Sequence, residues 1–294
     1  MLLFLLFMFC VTMGHCVDGD EISCNGLVFG QVYYEREVLM ESLGRPYNLV
    51  VHKYSGTLFF SHTIHKGTEV DFEIMAYDLN KRVYKNVKGI PGGYAVAYDP
   101  GNDDIYFGGH DGIYKYNFLT KSAEFFAEKG KSIWGLFIRN NFYYIDYPTQ
   151  KLHVYIDDKF VKVAEAVNIE VDNFFVTRQQ VVYFSNKTAL YKVDKITRSA
   201  TVLDDDIAVR QIADDNYGDI YICGSNGIYV EDKPYTRIKQ MAEIENVFGM
   251  TFDEHDRVIY SDKHTIYRLL PSNNSIACLD VVSPNKNKNS FEEI

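Results

Sequence analysis

Short strand-like apolar runs alternate with turn-forming clusters along most of this chain, and the runs recur as copies of one another. Six of them read Phe59-Phe60-Ser61, Tyr106-Phe107-Gly108, Tyr144-Ile145-Asp146, Tyr183-Phe184-Ser185, Tyr221-Ile222-Cys223 and Tyr260-Ser261-Asp262, with first residues 47, 38, 39, 38 and 39 apart. A following strand is centred on Tyr77, Tyr114, Tyr155, Tyr191, Tyr229 and Tyr267, which are 37, 41, 36, 38 and 38 apart. Short strands repeating at about 40 residues mark propeller blades, small sheets that bury both faces only when neighbours stack on them. Six copies predict an all-β, six-bladed β-propeller.

The segments between the runs support strands over helices. Gly109-His110-Asp111-Gly112 and Gly224-Ser225-Asn226-Gly227 place Asp-Gly and Asn-Gly between β-rich runs, which predicts tight hairpins centred on those dipeptides. Asp99-Pro100-Gly101-Asn102-Asp103 and Asp215-Asn216-Tyr217-Gly218-Asp219 are equally rich in turn formers. No long stretch carries a 3.6-residue period. The 23 Tyr and 20 Phe suit sheets packed on both faces. They would suit a sandwich as well, and the regular period decides between the two.

The repeat runs from about residue 44 to about 281 without a Pro/Gly/Ser-rich linker, which predicts one propeller domain within 17–282. Before it, Met1 to Val11 is an apolar run, with Gly14 and Cys16 as small residues at the −3 and −1 positions of a cleavage site, so residues 1–16 read as a secretory signal. No later run approaches the roughly 18 apolar residues of a membrane span. After cleavage the cysteines are Cys24, Cys223 and Cys278. Cys24 precedes the array and Cys278 is expected in its last strand, so a bridge between them joins the chain ends, and Cys223, inside a second strand, is expected to stay a buried thiol. Asn186-Lys187-Thr188 and Asn273-Asn274-Ser275 are candidate glycosylation sites. The formal charge of −10, with Lys and Arg scattered singly, leaves no basic stripe for nucleic acid. The tail 283–294, rich in Asn and Lys, is expected to be disordered.

The innermost strands of a propeller begin at one face and line the central channel, so their first residues converge. Aligning them gives Tyr47-Asn48-Leu49, Tyr94-Ala95-Val96, Trp134-Gly135-Leu136, Asp172-Asn173-Phe174, Arg210-Gln211-Ile212 and Phe248-Gly249-Met250. Four of the six first members are aromatic, and Ala95, Gly135 and Gly249 leave room beside three of the rings. Aromatic walls with one cation and one anion suit a flat conjugated ligand bearing carboxylate or amine groups, with Trp134 stacking on it and Arg210 holding a carboxylate. The competing reading is an aromatic plug of the channel, but Asp172 and Arg210 stand where a dry plug would carry Leu or Val. No nucleophile elbow, zinc-protease helix or phosphate loop is present in the sequence. His62, His65 and His110 are placed on loops near the mouth and read as solvated side chains, and the triplet Asp204-Asp205-Asp206 reads as a solvated turn.

Several longer strings carry a resemblance. Glu41-Ser42 with Arg45-Pro46-Tyr47, Thr57-Leu58-Phe59-Phe60-Ser61, the run from Gly108 to Tyr116, Ile133-Trp134-Gly135-Leu136-Phe137 and Val182-Tyr183-Phe184-Ser185-Asn186 look like the insect ommochrome-binding proteins, over the whole chain after the signal segment. That resemblance implies a secreted haemolymph protein that binds tryptophan-derived phenoxazinone pigments, planar ligands with amino-acid groups. The blade pattern is also similar to the six-bladed calcium-dependent lactonases and gluconolactonases, which hold a metal with a Glu, Asn residues and an Asp from the inner strands. Asn48, Asn173 and Asp172 stand at suitable places, but no Glu begins the first inner strand, and Arg210-Gln211 occupies the fourth position. The expectation is therefore a monomeric, non-enzymatic carrier without cofactor or metal. Its expected partner is a small aromatic pigment held by Tyr47, Asn48, Tyr94, Trp134, Asp172, Asn173, Arg210 and Phe248. A calcium-dependent lactonase or esterase is the alternative.

Overall fold

Each run of aromatic and β-branched residues pairs with the next one along the chain, because tight turns leave no length for a crossover. The computed structural model describes residues 23–282 apart from 195 and 198, so the expected signal segment 1–16 and the expected disordered tail 283–294 lie outside the described residues. Antiparallel pairing produces six sheets arranged as a propeller. In order, the inner strands are Pro46–His52, Ala95–Asp99, Ser132–Arg139, Asn173–Val176, Val209–Asp214 and Gly249–Phe252. Middle strands lie between two neighbouring blades and bury apolar side chains on both faces along much of their length. In Asp104–Gly109 of blade 2 every residue after the first is buried, whereas the outermost strand of blade 1, Val83–Asn86, is exposed at all four positions. Six clusters of buried side chains fill the seams, for example Phe59, Ile105, Phe107 and Tyr116 between blades 1 and 2.

The sixth blade differs from the repeat read along the sequence. Residues after 248 supply only three of its strands, and the fourth is Val32–Met40 from the other end of the chain, paired from Tyr34↔Pro271 to Met40↔Ile266, with Leu27–Phe29 added outside it. The array from 44 to 281 is thus incomplete without the segment before it. Cys24 and Cys278 are disulfide-bonded, but Cys278 sits on a helix, Ser275–Val282, and not in a last strand. The ring closes through this strand and bridge, the two cysteines being 254 positions apart in the sequence. Cys223 is fully buried and unpaired. No helix among the described residues is long and apolar enough to cross a membrane.

Other expectations are corrected by the turns. Gly109 pairs with Gly112 and Gly224 with Gly227, so the two-residue hairpin centres are His110-Asp111 and Ser225-Asn226, not Asp-Gly and Asn-Gly. The second glycine is required for a different reason. Gly112 and Gly227 have φ of +138° and +153°, and a Cβ on them would meet the carbonyl oxygens of Ala127 at 2.8 Å and Ala242 at 2.1 Å on the outermost strand. His62 and His65 lie within the strand Thr57–Lys66 and not on a loop, because the first blade's middle hairpin, Thr57–Lys66 with Glu69–Asp78, is unusually long. His110 is in a turn, as expected.

Candidate functional site

The residues predicted to begin the inner strands do meet, although they lie between one residue before and two residues after the observed strand starts. Tyr47 packs against Tyr94 at 5.6 Å between ring centroids and edge-on against Phe248 at 5.5 Å, and Tyr94 stacks on Trp134 at 4.3 Å with 20° between planes. Arg210 lies over the Phe248 ring at 3.8 Å. Asp172 accepts a hydrogen bond from Gln150 Nε2. One cavity of about 660 Å³ follows the channel from this end and is lined by Asn48, Tyr94, Trp134, Asp172, Asn173 and Arg210. Tyr47 and Phe248 do not line it; they back Tyr94 and Arg210 from behind.

Residues beside the predicted ones were invisible to the alignment of inner strands. Phe72 packs on Tyr94 at 4.7 Å and comes from the long hairpin of blade 1, whose only sign in the sequence is the eighteen-residue gap between Phe59 and Tyr77. Arg45 lies over Phe248 at 4.7 Å and donates from Nη1 to Tyr47 Oη at 3.2 Å. Tyr147, on the second strand of blade 3, stacks on Trp134 at 5.6 Å and 29°. Trp134 therefore makes stacked contacts with two protein rings, and its broad surface is already engaged before any ligand arrives.

Burial sets the electrostatics. It pulls Arg210 below the usual guanidinium range, but a guanidinium stays charged at neutral pH. No acidic side chain among the described residues lies within ion-pair distance of it, and its assigned hydrogen bond goes from Nη1 to Val247 O at 3.1 Å. The mouth thus holds a half-buried cation with spare donors. Burial raises the Asp172 carboxyl, opposed by the bond from Gln150. Tyr94 is pushed far up by burial, so its phenol stays neutral.

The second residues of the inner strands mainly sew the ring together. Asn48 Nδ2 donates to Tyr94 O at 2.9 Å, and Asn173 Nδ2 to Val209 O at 3.1 Å and Ser185 Oγ at 3.0 Å. Gln211 reaches across the axis: its Nε2 donates to Leu49 O at 2.8 Å, and its Oε1 accepts from Leu49 N and Met250 N, both at 3.2 Å. This brace joins blades 5, 6 and 1 and pushes the open volume toward blades 2 to 5. Of the three small residues, only Gly135 borders the cavity; a Cβ on Gly249 would strike Leu49 at 2.6 Å, and Ala95 is buried. At the far end, Arg139 pairs through both terminal nitrogens with Asp214 at 2.9 and 3.2 Å and donates to Val176 O at 3.2 Å.

The donor set does not fit the calcium site that the lactonase-type propellers imply. Asp172 is the one carboxylate among the six predicted first positions, no Glu stands among them, and Arg210 would face the ion. Among the described residues no group of three or more His, Cys, Asp or Glu could hold a metal.

No protein-family model matches the chain. It is 26% identical over 258 residues to the ommochrome-binding protein of Manduca sexta, covering 86% of this chain and 91% of that one. Among solved structures, a gluconolactonase from Xanthomonas campestris superimposes with a TM-score of 0.66 at 11% identity, covering 83% of this chain and 91% of its own. The calcium-binding protein regucalcin from Agrobacterium tumefaciens gives 0.62 at 12%, covering 81% and 96%. At these identities the structures speak for the fold alone. The chain is a six-bladed propeller of the gluconolactonase-like shape whose sequence is similar, along nearly all of its folded part, to ommochrome-binding protein.

Proposed function

We propose that this protein is a non-enzymatic carrier that binds an ommochrome, or a related tryptophan-derived planar metabolite, in the cavity on the propeller axis. One observation carries the reading: an aromatic cavity of about 660 Å³ borders a half-buried guanidinium that no described acid neutralises. Small-molecule pockets span roughly 300 to 1,000 Å³ and are mostly apolar with a few placed polar groups. Arg210 is the carboxylate anchor, since two parallel N–H···O bonds fit that group, and Asp172 is the partner for an amine. The relative's name supports the ligand class. The same reading includes a secreted, extracellular, monomeric protein with glycans on Asn186 and Asn273, and no turnover of the ligand. The lactonase reading lacks a donor set for its metal.

Titration of the purified protein with a phenoxazinone pigment, followed by visible absorbance and by quenching of Trp134, should saturate at one pigment per chain. A lactone-hydrolysis assay with added calcium should show no turnover. Absence of a spectral change up to a pigment concentration of about 100 µM, which corresponds to a binding free energy of only about −5.5 kcal/mol, or calcium-dependent hydrolysis, overturns the proposal.

A further inference from the structure

We propose that the ring system of the ligand does not stack on Trp134 but enters a slot between blades 3 and 4, reached from the channel past Gly135; this rests on the pigment-binding reading above. The cavity wall includes Tyr143, Ile145 and Leu152, which belong to the second and third strands of blade 3 and not to its inner strand, so the open volume leaves the axis at this seam. Across the seam stands Phe174 of blade 4. The seam is tied at both ends and apolar between. At the mouth end, Gln150 donates to Asp172, and Val171 N donates to Gln150 O at 2.8 Å; at the far end, Arg139 donates to Val176 O at 3.2 Å.

Sequence explains why this seam opens. Asn48, Asn173 and Gln211 stitch their blades to neighbouring backbone; Ala95, Gly135 and Gly249 at the equivalent positions have no side chain that can do so, and of these three Gly135 is the one that borders the cavity. Its φ is not in the left-handed region, so glycine is not needed there for backbone reasons; a Cβ would approach Ile145 Cδ1 to 3.0 Å. What the missing side chain leaves open is the way to Tyr143 and Phe174, which border the cavity half-buried, while the buried Ile145 and Leu152 form its floor. The rings beyond are available as well. Phe174 meets Tyr143 at 4.9 Å and 45° and Phe137 at 6.3 Å and 76°, so it is held by tilted and edge contacts where Trp134 is stacked, and it borders the cavity half-buried. The slot takes a flat, uncharged aromatic body, while the charged substituents stay in the channel near Arg210 and Asp172.

The test uses two probes, the carboxylated pigment and neutral phenoxazine, with Gly135→Leu, Gly135→Ala and Phe174→Leu in the full mature protein. Gly135→Leu should weaken both probes roughly 30-fold or more, as for a blocked hot spot, and Phe174→Leu about tenfold, with melting temperatures recorded alongside. If Gly135→Leu does not fold, Gly135→Ala and Phe174→Leu decide, with a graded loss expected. Parent-like binding of phenoxazine by the folded variants overturns the slot and leaves the carrier reading intact. Failure of the parent to bind either probe overturns the carrier reading itself.

Discussion

Arg210 and Asp172 stand at equivalent positions of adjacent blades, and their chemistry differs from that of the surrounding rings in a way the measurements can isolate. Arg210→Ala leaves a ligand carboxylate desolvated and unpaired, which should cost about 2 kcal/mol, close to 30-fold in Kd, with little effect on melting temperature. Isothermal titration with the carboxylated pigment checks it. The histidines supply a second residue-scale expectation. Burial lowers both His62 and His153, and neither nitrogen of His62 has a hydrogen-bond partner within the protein. A histidine whose folded pKa lies below its unfolded value contributes full stability above about pH 6.5 and loses it as pH falls through that value toward the folded one, since the unfolded chain then binds more protons. Urea midpoints should fall between pH 7.5 and 5.5, and His62→Phe should flatten that slope. An unchanged slope would place the sensitivity elsewhere.

Within a blade, the turns carry the least forgiving positions. Gly112→Ala and Gly227→Ala each put a Cβ against a carbonyl oxygen at 2.8 and 2.1 Å in addition to an unfavourable φ, so each should cost roughly 2 to 3 kcal/mol. Gly218→Ala has a φ of +85° but nothing within 4 Å, and should cost about 1 kcal/mol. Denaturant unfolding of the three variants ranks them; equal losses would mean that the carbonyl contacts relax freely. These glycines were visible in the sequence as turn signals, but the dipeptide pattern named the wrong hairpin centre. The deciding contact comes from the outermost strand, a partner fifteen residues further along in each case, and local turn chemistry does not register it.

Across the molecule, closure depends on both chain ends at once, because the last blade is completed by a strand from the opposite end of the chain. The Cys24–Cys278 bridge spans 254 residues, so the chain-entropy treatment assigns it roughly 5 kcal/mol and measured bridges give typically 2 to 4. Replacing both cysteines by serine should lower the urea midpoint accordingly under non-reducing conditions, while the parent protein expressed without residues 1–16 should show one bridge and one thiol by peptide mapping. That thiol is Cys223, whose pKa burial pushes up to about 12, so it should resist alkylation until the protein unfolds.

Blade number, the repeating strands around which the blades are built and the convergence of Tyr47, Tyr94, Trp134 and Arg210 were legible in the chain alone, because a period of local hairpins is written into consecutive residues and equivalent positions in a ring must share an axis. What touches what at that axis was not. That Trp134 is engaged by Tyr94 and Tyr147, that Gln211 crosses the channel to Leu49, and that Val32–Met40 completes the sixth blade all depend on residues far apart in sequence. Their meeting is decided by how the packed blades close on one another, and only the tertiary structure holds that information: the repeat sets where each strand lies, and the seams between blades decide which side chains are left free to meet a ligand.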